Sequence, residues 1–285
     1  MFTMRAAVLG VSFGLMCLLC SLPLLADAHH CVRYGFRAGD SLVYRVHSFD
    51  TLDFDTRIIR ERVELVSYVC DHVTESGNQL LRVTLESVEI REKNADGSSS
   101  GNDSTFRTRS PWLGRTAYII LDSSGKRILA RQGDTARATV SPGGAFQPTL
   151  LLLGVDTLCH SSNVLRSWVI TTTDTLAENA WPPPIVRSTY SCGMIDTVMN
   201  NRQHTAIRYA QTGQGSFKNI TGDVGVVLRS VLDGYGTVVI DGDNSLPLSG
   251  ESKIRIKVTV LMESSSTKGL VRHATSFERI YMSQR

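Results

Sequence analysis

Apolar and polar residues alternate with a period of two along several long stretches of the chain. Near the C-terminus Ile254, Ile256, Val258 and Val260 alternate with charged or polar neighbours. The same alternation occurs around Leu42 to Val46. Alternation of this kind is typical of strands in an antiparallel sheet that has one apolar face and one solvated face.

Short polar turns separate the alternating stretches and predict hairpins. A long strand from Arg57 to Val73 and a second from Gln79 to Glu92 flank the turn Ser76-Gly77-Asn78. The segments Asp122-Ser123-Ser124-Gly125 and Asp233-Gly234-Tyr235-Gly236 are each flanked by apolar arms. We therefore expect a hairpin turn at both, which indicates either a common turn chemistry used twice or an internal duplication.

Amphipathic helical spacing is scarce, so the predicted fold class is mainly β. We expect a large curved antiparallel sheet, or a half-open β-barrel or sandwich. The middle of the chain holds Trp168, Trp181 and Pro182-Pro183-Pro184, which disrupt ladder hydrogen bonding. Residues 29–285 are thus predicted to form one large β domain, or two β halves (29–135 and 185–285) joined by a packed crossover, 136–184, that is a short helix or irregular.

The first residues have the pattern of a secretory signal peptide. Arg5 precedes an apolar run from Ala6 to about Leu25, and the run ends at the small-x-small triplet Ala26-Asp27-Ala28. The alternative is a retained membrane anchor, since a span needs about 20 apolar residues. We predict cleavage after Ala28, no transmembrane span in the mature chain, and export to the periplasm, the outer envelope or the medium.

Charge and cysteine content limit the partners and the cross-links that we expect. The net charge is only +3, and no Lys/Arg cluster stands out along the sequence, so nucleic acid is not an expected partner. Cleavage leaves Cys31, Cys70, Cys159 and Cys192, which meet an oxidising compartment after export. We predict the disulfides Cys31–Cys70 and Cys159–Cys192, with free buried thiols as the alternative.

Several common motifs of catalytic and nucleotide-binding sites are absent from the sequence. There is no G-x-S-x-G elbow, H-E-x-x-H pair or phosphate-binding glycine loop. The segment Asp241-Gly242-Asp243-Asn244-Ser245 lacks the later ligands of an EF-hand and is predicted to be a turn. Cleavage after Ala28 would make His29 the N-terminal residue, whose amine and ring could bind copper. We therefore name His29 as a metal-ligand candidate, and we expect no other cofactor.

The layout resembles a loosely defined group of bacterial cell-envelope proteins, many without known function, that have a lipoprotein-carrier-like half-barrel. The segment Tyr34–Tyr44, YGFRAGDSLVY, leads into the first strand, and the long charged hairpins and D-x-x-G turns follow. This resemblance implies that the concave face holds an acyl chain or another apolar ligand. On the pattern alone, Ile254, Ile256, Val258 and Val260 line that face, unless they serve purely as core.

Three functional hypotheses follow. The first is an exported, non-enzymatic envelope protein that binds or carries a hydrophobic, lipid-like ligand. The second is a structural or protein-interaction module at the cell surface. The third is a secreted hydrolase or copper oxidase that acts on polysaccharide. The sequence does not identify a ligand, a protein partner or an oligomeric state.

Overall fold

The strands of the chain form one large, open antiparallel sheet. The computed structural model describes residues 34–94, 113–114, 116–122, 127–132, 167–175, 185–221, 224–262 and 265–283. Within these ranges the regular structure is entirely β, as predicted, and no helix is present to cross a membrane. The strands are β1 (Ser41–Asp53), β2 (Arg57–Val73), β3 (Gln79–Asn94), β4 (Thr116–Leu121), β5 (Arg127–Gln132), β6 (Ser167–Thr175), β7 (Ile185–Met199), β8 (Arg202–Thr221), β9 (Val224–Asp241), β10 (Pro247–Met262) and β11 (Ser265–Ser283).

The order of strands across the sheet is β5-β4-β3-β2-β1-β11-β10-β9-β8-β7-β6. Two meanders therefore run outward from the centre, where the first strand pairs along its whole length with the last strand. Strands from both predicted halves of the chain belong to this one sheet. Part of the predicted crossover, 136–184, is also a strand, because residues 167–175 form β6 at the edge of the sheet.

One face of the sheet is buried and the other is exposed, because successive side chains of a strand point to opposite faces. At one end of the strands the buried face carries a large apolar cluster that includes Leu42, Tyr44, Tyr68, Leu81 and Ile207. The Tyr44 ring packs edge-on against Tyr68 and Phe277, and its hydroxyl donates to the Pro247 carbonyl at 2.8 Å. The hydrogen bond satisfies the buried hydroxyl, and the ring contacts hold the centre of the sheet together.

The two predicted D-x-x-G turns have different outcomes. Strands β4 and β5 pair as a hairpin on either side of Asp122–Gly125, as expected. The prediction is wrong at Asp233–Gly236, because β9 runs through this segment without a break. A Cβ on Gly236 would lie 2.4 Å from the Glu251 carbonyl oxygen and 2.4 Å from the Tyr209 hydroxyl oxygen. Glycine is therefore required there by close packing within the sheet and not by a turn.

The true turn lies at the end of β9 and confirms the prediction for Asp241–Ser245. Asp241 accepts hydrogen bonds from the Asp243 amide at 3.2 Å and from the Asn244 side chain at 2.8 Å. Ser245 has a positive φ of 56°, which closes the chain toward β10. The Arg279 guanidinium donates to Asp241 and ties this turn to β11.

Candidate functional site

The four predicted ligand residues lie on the buried face, beyond the main apolar cluster. Val258 is buried, whereas Ile254, Ile256 and Val260 are half-buried, and none of the four belongs to the main cluster. Register places Ile256 of β10 between Val271 of β11 and Leu232 of β9. The structure thus places these residues on an apolar surface that lies beyond the core on the same face of the sheet. A ligand role for them stays a prediction.

An apolar row crosses the sheet at the level of Ile256. It runs through directly paired residues of five neighbouring strands, β2, β1, β11, β10 and β9. We call these residues the apolar row: Ile58, Leu52, Val271, Ile256 and Leu232. Four of the five are half-buried, and Leu232 is buried. A half-buried row of aliphatic side chains offers van der Waals contact to an elongated apolar group laid across the strands.

A belt of polar side chains separates the apolar row from the main cluster. Asp50 Oδ1 lies 2.5 Å from His273 Nδ1, and His273 Nε2 lies 2.6 Å from Thr275 Oγ1. Thr275 Oγ1 in turn lies 3.1 Å from Ser48 Oγ. These four residues form a continuous hydrogen-bonded chain across the central pair β1 and β11, and we call this chain with its charged neighbours the polar belt.

The charged neighbours come from β2 and β3. Arg60 forms an ion pair with Glu92, and Arg62 Nε lies 3.3 Å from Glu64 Oε1. Burial raises the pKa of the Glu64 carboxyl, and this effect outweighs the opposing influence of Arg62 and His273. The polar belt therefore combines guanidinium groups, carboxylates, hydroxyls and an imidazole beside the apolar row.

The order Asp50, His273, Thr275 has the connectivity of an acid, a base and a nucleophile. Its surroundings do not suit that chemistry. Thr275 is only 7% exposed, and its hydroxyl also bonds Ser48. It lies in mid-strand, paired on both sides with Ser48 and Ser252, where backbone N–H groups serve the ladder instead of an oxyanion. The arrangement suits the orientation of polar groups better than the attack of a carbonyl.

Only some of the other predicted site residues lie within the described parts of the chain. His29, Cys31 and Cys159 lie outside the described residues. Cys70 and Cys192 are buried and carry free thiols, and burial raises the pKa of each thiol to about 11. The two predicted disulfides are therefore not seen and stay predictions. The described part of the chain holds no cluster of three or more metal-binding side chains.

Sequence reasoning missed the polar belt, although a signal for it was present. Ser48 and Asp50 continue the even-numbered positions of Leu42, Tyr44 and Val46, so they point to the buried face. Polar residues in phase with an apolar face mark either a satisfied network or a binding site. The partners on β2 and β11 become visible only when the strands are paired.

Comparisons with known proteins give fold-level similarity alone. The chain matches no known protein family, and no curated protein matches it by sequence. One similar solved structure is described as "Lipid-protein interactions in lipovitellin", with a TM-score of 0.48 and 11% sequence identity. The match covers 87% of this chain and 26% of that chain, so this protein spans about a quarter of its length. A similarity of this size assigns no ligand and no family to the protein.

Proposed function

We propose that this protein is an exported, non-enzymatic envelope protein that binds or carries an amphiphilic, lipid-like ligand on the buried face of its sheet. The observation that carries the proposal is the half-buried apolar row directly beside the polar belt. The apolar row contacts the hydrocarbon part of the ligand, and the polar belt contacts its head. A ligand of this kind needs both surfaces on the same face, because an acyl chain and its polar group are covalently joined.

The strength of the apolar contact sets the expected effect of a substitution. Burial of an isoleucine side chain contributes about 1.5–3 kcal/mol, which corresponds to at least about a tenfold change in affinity. Ile256 lies in the middle of the apolar row, between Val271 and Leu232. A lysine in its place introduces a charge at the point where the ligand chain packs.

The test is a titration of the purified mature chain with a fluorescent fatty acid. Ile256→Lys is expected to weaken binding at least about tenfold. The matched control is Val169→Lys, since Val169 is 66% exposed on edge strand β6 and lies on the opposite face. Equal affinities for both variants and the unaltered chain, with circular dichroism showing all three folded, would contradict the proposal.

Export is a separate part of the proposal and has its own measurement. It rests on Arg5, the apolar run and the Ala26-Asp27-Ala28 triplet. N-terminal sequencing of the protein recovered from cells is expected to begin at His29. A chain that begins at Met1 and remains in the cytoplasm would refute export while leaving ligand binding open.

A further inference from the structure

The exposed face of the sheet carries a compact basic surface that does not take part in the proposed function. Strands β9, β10, β11 and β1 are neighbours, and paired positions on this face form four rows across them. With strands about 4.8 Å apart and about 3.4 Å per residue, the surface measures about 14 by 20 Å. We call it the basic face: Arg229, Val231, Asp233, Tyr235, Lys253, Arg255, Lys257, Thr259, Lys268, Leu270, Arg272, Ala274, Phe49, Thr51 and Asp53.

The charge of the basic face is strongly one-sided. It holds six lysine and arginine side chains and two carboxylates, Asp53 and Asp233. Its excess of four positive charges is larger than the net charge of +3 for the whole chain. The rest of the protein is therefore slightly acidic. No such cluster stands out along the sequence, because the six cations come from three strands that are brought together only by pairing.

The two carboxylates neutralise only part of this charge. Asp233 pairs with Arg255 at 3.1 Å, and Asp53 lies 2.9 Å from Arg57 and 3.8 Å from Arg272. Among the described residues, no carboxylate pairs with Lys253 or Lys257. These ammonium groups are exposed and available to an anionic partner.

Apolar and aromatic side chains lie exposed between the charges. Tyr235, Val231 and Phe49 are 60%, 55% and 44% exposed. Phe49, Tyr235, Lys253, Arg255 and Arg272 contribute to the lining of a groove of about 510 Å³. Large exposed apolar side chains within a cationic surface are typical of contact with a membrane interface, where rings enter the headgroup region and cations meet lipid phosphates.

We infer that the basic face docks the protein onto the surface of a bilayer that contains anionic phospholipids. The lysines and arginines contact phosphate groups, and Phe49, Tyr235 and Val231 enter the interface. The groove seats one headgroup between the two rings. Docking uses the face opposite the apolar row, so it does not depend on ligand binding there.

A bilayer fits this surface better than a nucleic acid does. Single-stranded nucleic acids are bound by basic grooves whose aromatic rings stack on bases. The basic face also exposes the aliphatic Val231, which offers nothing to a base or to a sugar phosphate. Aliphatic and aromatic side chains together with lysines match the layered chemistry of a lipid interface.

The test is co-sedimentation of the mature chain with vesicles of phosphatidylglycerol and phosphatidylcholine in equal parts, compared with vesicles of phosphatidylcholine alone. The triple variant Lys253→Gln, Lys257→Gln, Lys268→Gln removes three exposed cations from the basic face. Each contributes about 1 kcal/mol near an anionic surface, so binding to the mixed vesicles is expected to fall about 100-fold. Raising the salt from 0.1 M to 0.5 M is expected to release the unaltered protein.

A matched control removes the same charge elsewhere. Arg37, Arg82 and Arg202 are exposed and lie far from the basic face; register places Arg82 beside Val69 and Ser41, eight residues along β1 from Phe49. Their replacement by Gln is therefore expected to leave vesicle binding within about threefold. A second variant, Phe49→Ser with Tyr235→Ser, keeps every cation and is expected to weaken binding to the mixed vesicles at 0.1 M salt, because the two rings no longer enter the interface. Uptake of the fluorescent fatty acid by the lysine triple variant is expected to be unchanged, which separates this inference from the proposed function.

Three results would overturn the inference. They are equal binding to both kinds of vesicle, equal loss in the control and lysine variants, or displacement of the protein from mixed vesicles by single-stranded DNA at micromolar concentration. Circular dichroism and thermal melting confirm that each variant is folded before its binding is measured.

Discussion

The buried ion pair between Arg279 and Asp241 gives the sharpest test of how the centre of the sheet is held. Each side chain is only 9% exposed, and Arg279 Nη1 also lies 3.3 Å from Asn244 Oδ1. We consider the substitution Arg279→Met, which keeps the aliphatic length but removes the guanidinium. Asp241 then retains bonds from Asn244 and from the Asp243 amide, with His204 Nδ1 at 3.7 Å, but has lost the permanently charged guanidinium.

Removal of one partner of a buried pair costs about 3–5 kcal/mol, because the remaining charge is left uncompensated. In a domain of this size, 1 kcal/mol lowers the melting temperature by roughly 2–4 °C. Arg279→Met is therefore expected to lower it by roughly 6–20 °C. The double variant Arg279→Met, Asp241→Asn removes the stranded charge and is expected to recover part of that loss.

The pH dependence of the free energy of unfolding provides an independent test of this ion pair. Burial alone would raise the pKa of Asp241, but the hydrogen bonds and charge of Arg279, helped by Asp243 and Asn244, hold it below its usual range. A lowered folded pKa contributes stability that is present above the unfolded value, about 3.9, and is lost as the pH falls through the folded value. The difference between Arg279→Met and the unaltered protein is thus expected to shrink as the pH falls from 7 to below 4.

Urea denaturation at several pH values, monitored by circular dichroism, measures both the loss of stability and its pH dependence. A loss of less than about 1 kcal/mol at pH 7 would refute the reasoning, because it would be typical of an exposed pair. A difference that stays constant down to pH 3 would mean that Asp241 is not the titrating partner.

Three further predictions concern stability and reactivity. Burial raises the pKa of Glu64, so the stability it gives is present below the unfolded value of about 4.3 and is lost as the pH rises through the folded value. The urea midpoint of Glu64→Gln is expected to equal that of the unaltered protein at pH 4 and to be higher at pH 8. A lower midpoint for the variant at pH 8 would contradict this. Because burial raises the pKa of the Cys70 and Cys192 thiols to about 11, a maleimide at pH 8 is expected to label them only after unfolding. Mass spectrometry counts the labels on each cysteine. Rapid labelling of the native protein would contradict burial of the thiols. Failure to label after unfolding without reductant would show that the cysteines form disulfides. Gly236→Ala is expected to cost about 1–3 kcal/mol because its Cβ meets the Glu251 carbonyl oxygen at 2.4 Å, whereas Ser230→Ala on the same strand is expected to change little.

Much of the fold was predictable because strand alternation is a local property. The positions of Leu42, Tyr44 and Val46 already assign one face of β1, and the hairpin of β2 and β3 follows from a short polar turn. The segment Asp233–Gly236 misled prediction, because glycines that permit close packing and glycines that permit a turn have the same local signature. Only the neighbouring strands distinguish the two.

The candidate site was less predictable because it depends on register between distant strands. Asp50 and His273 are 223 residues apart in the chain and meet only when β1 pairs with β11. The basic face has the same origin. Local alternation places Lys253, Arg255 and Lys257 on the solvated side of one strand, but Arg272 and Arg229 join them only through β11 and β9.

The most direct test of the central claim is native mass spectrometry of the mature chain purified from cells without detergent. If the apolar row and the polar belt hold an amphiphilic ligand, part of the protein is expected to carry an additional lipid-sized mass. That mass is expected to be lost in Ile256→Lys and retained in Val169→Lys. A spectrum of the bare chain alone, together with no uptake of an added fluorescent fatty acid, would contradict the claim.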